Sequence, residues 1–343
     1  MAKPTQDNNI NINAFRKSIL DWYDRHQRVL PWRVKSGEVS NPYLVWLSEI
    51  MLQQTTVPTV GPYFEKFTKK WPTVHDLAQA SQDDVLHEWA GLGYYARARN
   101  LHKCAQIVSQ DLNGVFPQKQ NQLEKLPGIG GYTSAAICAI AFNKPANVVD
   151  GNIERIISRI FAVEIPMPDA KPILKQKAGL LSDKKTDRPG DYAQALMDIG
   201  SSICIPKTPI CMLCPVIKFC EARKLGIESE LPKKKPKKPK PQKHGIVYWF
   251  ENEKGEIALE RRGDKEMLGG MLGLPTSEWV STEKPLDKID ENNFISHSFT
   301  HFDLKLYVHK KQKADSDYIW ISKDKLDRTG LPTLFKKVVK IMT

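Results

Sequence analysis

Residues 232–243 read PKKKPKKPKPQK, four prolines and seven lysines without a single acid. Proline fixes φ and has no backbone N–H, and crowded lysines repel one another. The segment is therefore expected to be a semi-extended, polyproline-like tether, able to form neither a helix nor a paired strand. It divides the 343-residue chain into 1–231 and 244–343, each long enough to bury its own core. Before the tether, VWLSEIMLQQ, DDVLHEWAGL, YTSAAICAIAFN and NIERIISRIFA place apolar residues at helical three-and-four spacing. After it, GIVYWF, EIALERR, FDLKLYVHK and DYIWIS alternate as strands do, and LFKKVVKIM closes the chain as a helix. An all-α domain followed by a smaller α+β domain is expected.

The net charge of +12 is unevenly spread. Residues 1–231 hold 28 basic against 23 acidic side chains, the tether adds seven lysines, and 244–343 balances 16 against 16. A basic first domain with a basic exit suits a polyanion such as nucleic acid, although the lysines alone also fit a solvated linker. No run approaches the ~20 apolar residues of a membrane helix. The polar start MAKPTQDNNINI lacks a secretory pattern, so a reducing, cytoplasmic setting is expected.

Cys204, Cys211, Cys214 and Cys220 follow C-x6-C-x2-C-x5-C, whereas Cys104 and Cys138 stand alone in helical patterns and read as core residues. Four thiolates within 17 residues imply a metal centre. Zinc sites usually show two short C-x2-C pairs, and iron–sulfur sites tolerate one pair with wider flanks. Spacing alone leaves an iron–sulfur cluster, zinc or free thiols open.

Residues 126–134, LPGIGGYTS, join two helical patterns through Gly128, Gly130 and Gly131. Backbone amides at such a helix start can cradle a phosphate, and a tight interhelical turn is the plainer reading. Asp150, in VVDGNIERIISR, sits where an aspartate caps a helix. Glu49 lies among Leu47, Ile50, Met51 and Leu52, neighbours that would raise its pKa.

The cysteine spacing after a helical domain resembles the four-iron four-sulfur loop of the endonuclease III-like helix-hairpin-helix DNA glycosylases, and LPGIGGYTS resembles their hairpin. LPWR at 30–33 and NPYLVWLSEIMLQQT at 41–55 are similar to the adenine DNA glycosylases of the MutY type within that superfamily. The resemblance implies a 4Fe–4S cluster on Cys204, Cys211, Cys214 and Cys220, with Lys207, Lys218, Arg223 and Lys224 facing phosphates. It makes Glu49 the acid that protonates adenine, Asp150 the anion beneath the sugar, and Asn152 a supporting polar group. Tyr132 stands where strand-cleaving relatives carry a Schiff-base lysine, which implies a monofunctional glycosylase. Gln54 and Tyr94 match duplex-inserting positions, and Trp32, Arg33 and Gln194 match the adenine pocket. Many relatives have glutamate at the last of these. Aromatic residues at such positions would otherwise be read as ordinary core.

Residues 244–343 resemble the Nudix-like second domain of the same family, which reads 8-oxoguanine. MLGGMLGLP at 267–275 departs from the usual aromatic-rich loop through Leu268 and Leu272. HSFTHFDLKLYV at 297–308 places Phe299, Thr300 and His301 at the reading loop, although an isolated His301 would more often lie on a strand surface. No REUxEE pattern for magnesium is present, so recognition rather than pyrophosphate hydrolysis is expected. The implied partner is duplex DNA bearing adenine opposite 8-oxoguanine or guanine, bound by a monomer near the nucleoid. A bifunctional lyase for oxidised pyrimidines and a non-catalytic, redox-sensing DNA binder are the rivals. Tyr132 argues against the first, and the presence of both acids against the second.

Overall fold

The computed structural model describes residues 10–35, 38–182, 187–236, 239–263, 266–281, 292–311 and 317–343. Residues 1–9, and Lys237 and Lys238 of the tether, lie outside the described residues. The chain forms two compact units, one of Met1–Ala78 with Lys103–Pro236 and one of Gln79–His102 with Lys237–Thr343. Segment 79–102 thus groups with the second unit, which helical periodicity alone has no means of showing.

In chain order the helices before the tether are α1 (Ile12–His26), α2 (Pro42–Leu52), α3 (Val57–Lys70), α4 (Val74–Gln79), α5 (Gln82–Glu88), α6 (Ala96–Gln110), α7 (Gln120–Leu123), α8 (Gly131–Phe142), α9 (Gly151–Ile160), α10 (Lys171–Leu181), α11 (Pro189–Ser202) and α12 (Glu221–Leu225). The sequence starts several of them locally. The Asn41 side chain accepts from the Tyr43 N–H at 2.9 Å and Pro42 occupies the first turn of α2. Asp150 caps α9. Helix α8 ends at Asn143, whose φ of 49° returns its N–H to the Cys138 carbonyl.

The first unit packs α1, α8, α9, α10 and α11 around Phe15, Ile19, Tyr23, Ile153, Ile157, Leu174, Leu196 and Ile199. Helix α2 is buried nearly all round, from Tyr43 to Met51, so any polar residue on it is taken out of water. Those polar residues are Ser48 and Glu49.

In the second unit β1 (Gln242–Phe250) pairs in parallel with β5 (Asp303–Lys311), and β4 (Phe294–Ser298) runs antiparallel to β5. A second sheet has the order β3 (Leu272–Gly273), β2 (Glu256–Arg261), β6 (Ile319–Ser322), all antiparallel. Val247 and Trp249 of β1 and Leu304, Leu306 and Val308 of β5 alternate into one core, which Phe335 and Val338 of α13 (Thr333–Met342) complete.

The expectation that the tether pairs with nothing is corrected at both of its ends. The Met167 N–H donates to the Lys233 carbonyl at 2.8 Å and Met167 bridges Lys234, while Gln242 and Lys243 already belong to β1, opposite Asp303 and Leu304. Proline lacks an N–H but keeps its carbonyl, as do its lysine neighbours, and a short edge pairing can rest on those acceptors: the Asp303 N–H donates to the Pro241 carbonyl at 3.0 Å.

Candidate active site

Glu49 is 6% exposed on α2, and its Oε2 accepts a hydrogen bond from the Tyr132 hydroxyl at 2.8 Å. Burial pushes its pKa up to about 7; the tyrosine bond opposes the rise, nearby Asp150 adds to it and Arg33 reduces it. Near neutral pH the side chain can therefore hold a transferable proton. Tyr132 is the second residue of α8, and burial beside Glu49 and Asp150 keeps its phenol protonated.

Asp150 sits in a different environment. As the cap of α9 its Oδ1 accepts from the Ile153 N–H at 2.7 Å and its Oδ2 from Asn152 Nδ2 at 2.9 Å. Burial raises its pKa, but the Ile153 and Asn152 donors and the Arg155 charge all favour the anion. Burial raises both carboxyls, but Glu49 has one hydrogen-bond donor opposing the rise and Asp150 has several, so the anion is better supported at Asp150.

Asn152 is fixed in turn. Arg155 Nη2 donates to Asn152 Oδ1 at 2.9 Å and to the Gly200 carbonyl at 2.6 Å, and its Nε reaches the Cys204 carbonyl at 2.7 Å. Gly200 lets α11 come this close, since a Cβ there would lie 2.6 Å from the Asn152 Cβ.

Trp32 is 8% exposed and meets Phe64 edge to face, with ring centroids 5.3 Å apart. Arg33 does not point freely into a pocket: its guanidinium forks onto Asp198, Nη1 to Oδ2 at 2.6 Å and Nη2 to Oδ1 at 2.9 Å. Gln194, buried on α11, lies one turn before Asp198. Gln54 and Tyr94 are both exposed, and both adopt left-handed backbone, at φ 57° and 50°. Such conformations strain a residue with a Cβ and cluster at functional sites.

In the hairpin Gly128 turns the chain at φ 77°. Helix α8 starts after Gly130 with no side-chain cap, and a Cβ on Gly130 would meet nothing within 4 Å. The amides at this start are open to an external acceptor, while Gly131 accepts at its carbonyl from Gln120.

Cys204, Cys211, Cys214 and Cys220 line one cavity with Ile156, Ile199 and Val216. Among the described residues no three His, Cys, Asp or Glu side chains converge tightly enough to hold a single metal ion. Arg159, fully buried on α9, donates to Cys204 Sγ at 3.1 Å and to the Ile205, Pro206 and Leu231 carbonyls. Four sulfurs around a shared apolar space, with a cation donating to one of them, are chemically suited to holding an iron–sulfur cluster. Of the basic residues expected to face phosphates, Arg223 pairs with Glu228, Lys224 with Glu221, and Lys218 lies over the Phe219 ring. Cys104 and Cys138 are buried in the core, where burial raises their thiol pKa values.

The profile of HhH-GPD superfamily base excision DNA repair proteins matches residues 47–177. An adenine DNA glycosylase of Buchnera aphidicola (subsp. Acyrthosiphon pisum) is 34% identical, with 95% of this chain and 97% of that protein covered. The chain belongs to the adenine DNA glycosylase family. The human adenine DNA glycosylase is 29% identical over 96% of this chain and 74% of its own length. A solved thermostable thymine-DNA glycosylase, 28% identical with a TM-score of 0.54, covers 62% of this chain and 97% of its own. A NUDIX domain profile matches residues 246–340.

Within that second region the family resemblance falls on two loops. Leu268 adopts φ 62°, and Arg262 holds the loop by donating to the Met267 carbonyl at 2.8 Å and to Thr276 Oγ1 at 3.0 Å. Phe299 packs among His297, Trp279 and Phe302, whereas Thr300 and His301 are exposed. The Thr300 hydroxyl lies 3.1 Å from that of Tyr94, and Lys240 of the tether donates to the Phe299 carbonyl at 2.8 Å. Among the described residues no helix is long and apolar enough to cross a membrane.

The site holds residues that sequence reasoning missed: Asp198, Arg28, Arg155 and Arg159. Each is a charged side chain in an amphipathic helix or turn, which one sequence cannot distinguish from a solvated face.

Proposed function

We propose that this protein is a monofunctional glycosylase that removes adenine mispaired with 8-oxoguanine or guanine from duplex DNA in base excision repair. The observation that carries the proposal is the pair of carboxyls, Glu49 buried with one donor and Asp150 capped by several. Breaking a purine N-glycosidic bond puts negative charge on the base and positive charge on the sugar. Protonated Glu49 gives its proton to adenine N7 as the bond to C1′ lengthens, and ionised Asp150 stabilises the cationic sugar until water adds at C1′. Tyr132 provides no amine for a Schiff base, so the product is an intact strand with an abasic sugar.

Adenine must leave the stack to reach these groups, at a cost of a few kcal/mol. In this reading Gln54 and Tyr94 fill the gap, Trp32, Arg33 and Gln194 hold the extruded base, and the amides around Gly128, Gly130 and Gly131 bind a phosphate. Phe299, Thr300 and His301 read the oxidised base. The four cysteines hold a 4Fe–4S cluster, which when bound ties the loop 204–220 into a fixed DNA-facing shape. The apolar cavity that the four cysteines line, with Arg159 donating to Cys204, supports that reading. A monomer working at cytoplasmic, nucleoid DNA completes the proposal.

Single-turnover base release on duplexes carrying adenine opposite 8-oxoguanine, guanine, cytosine and thymine tests it. Release is expected from the first two pairs and little from the others. Equal release from all four, or none, would reject the substrate assignment.

A further inference from the structure

Asp198 is the most fully buried acid beside the site, with its side chain 1% exposed on α11. Both of its oxygens are taken: besides the Arg33 fork, Arg28 donates from Nε to Oδ1 at 2.5 Å and from its backbone N–H to Oδ2 at 3.2 Å. One carboxylate thus anchors both ends of the turn that follows α1. That turn carries Trp32, and its Arg33 N–H closes onto the Leu30 carbonyl at 3.0 Å. The Arg33 side chain is 6% exposed, so neither partner of the fork is screened by water.

Two guanidinium groups meet one carboxylate, and the charge of one of them, Arg33, reaches Glu49. The groups facing Glu49 are Tyr132 from α8, Asp150 from the start of α9 and Arg33 from the turn after α1. Those near the Asp198 cluster are Arg28 and Arg33, the Tyr23 phenol on α1, Asp191 on α11 and Arg188 just before it. Arg188 is itself paired with Asp24 and Asp191. Asp198 is therefore the carboxylate placed to neutralise Arg33.

We propose that Asp198 is a positioning residue for base excision: it fixes Arg33 and the Trp32 turn beside the buried acid and cancels most of the positive charge they would otherwise bring to it. Planar bidentate pairing gives a fixed direction that a single hydrogen bond does not. Removing the charge while keeping the shape leaves Arg33 uncompensated toward Glu49, which favours its ionised form. Glu49 then loses its proton at lower pH, and the alkaline limb of the pH–rate profile moves down. A purely structural ion pair would lower stability or rate at every pH and leave that limb where it is.

This inference rests on the glycosylase reading, and both are tested in one experiment: single-turnover adenine release from a duplex with adenine opposite guanine, between pH 5 and 9, for the full chain and its variants. Release by the unaltered protein establishes the reading itself. Asp198→Asn is expected to lower the alkaline limb by about half a pH unit or more and to slow release at least ~10-fold at pH 8, with duplex binding retained. Asp198→Glu keeps the charge and is expected to return the limb to its original pH, although its extra methylene slows release. A folded Asp198→Asn with an unmoved limb, while the unaltered protein releases adenine, would overturn the inference. If Asp198→Asn does not fold, Arg33→Lys carries the test, since it keeps the cation and removes the fork. An alkaline limb at the pH of the unaltered protein would then overturn the inference, and a limb lowered by about half a pH unit or more with binding intact would support it.

Discussion

The Tyr132 hydroxyl donates to Glu49 Oε2 at 2.8 Å, so the phenol at the start of α8 is the partner of the buried acid. A lysine amine at this place would favour the glutamate anion by charge as well as by hydrogen bonding. The phenol supplies the bond alone, and burial still carries the glutamate up to about 7. In the proposed reading, a tyrosine that offers no Schiff-base amine also lowers the Glu49 pKa less than a lysine would.

Tyr132→Phe is expected to raise the Glu49 pKa further, because a bond to its anion is lost. Release should therefore persist to higher pH, measured as an upward shift of the alkaline limb. Strand cleavage without added alkali or heat should be slight in the unaltered protein and in this variant alike.

Glu49→Gln is expected to stabilise the fold at pH 8 while slowing base release by at least ~100-fold. A carboxyl whose folded pKa is about 7 against an ordinary 4.5 keeps its proton-linked stability below pH 4.5 and loses it as pH rises through 7. At pH 8 the loss is on the order of 3 kcal/mol, and glutamine does not incur it. Melting curves at pH 4 and pH 8 check this: the gain should appear at pH 8 and vanish at pH 4.

Purified protein is expected to be yellow-brown, with broad absorbance near roughly 400 nm and about four irons per chain. Cys211→Ser should lower iron content and duplex binding together. Its loop is tied to α9 through Arg155 and Arg159, so a lost ligand disturbs the helix that Asp150 caps. One zinc and no iron in protein purified without oxygen would reject the cluster.

Thr300→Ala is expected to reduce the preference for adenine opposite 8-oxoguanine over adenine opposite guanine several-fold, the worth of one hydrogen bond of about 1 kcal/mol. Release from the guanine mismatch should be nearly unchanged. Paired rates on the two duplexes measure this.

The division into helices and then strands was legible because periodicity reports which face is buried, and the motifs marked Glu49, Tyr132 and Asp150. What was not legible depends on long-range approach. Asp198 lies 165 positions from Arg33 and gives no local sign that it binds it. Segment 79–102 reads as helical wherever it packs, so its grouping with 237–343 leaves no trace in its pattern. The ends of the tether pair because particular carbonyls, those of Lys233 and Pro241, accept from Met167 and Asp303, a matter of geometry that composition does not encode.

The central claim is that Glu49 works protonated and Asp150 works ionised. Its most direct test is the pH dependence of single-turnover adenine release by the unaltered protein, Glu49→Gln and Asp150→Asn. The unaltered protein should trace a bell, falling at low pH as Asp150 gains a proton and falling above about 7 as Glu49 loses its own. Each variant should be slowed at least ~100-fold and should lose the limb belonging to its own residue, with mismatch binding preserved. A rate that stays level from pH 7 to 9, or a Glu49→Gln protein that releases adenine at near-normal speed, would contradict the assignment.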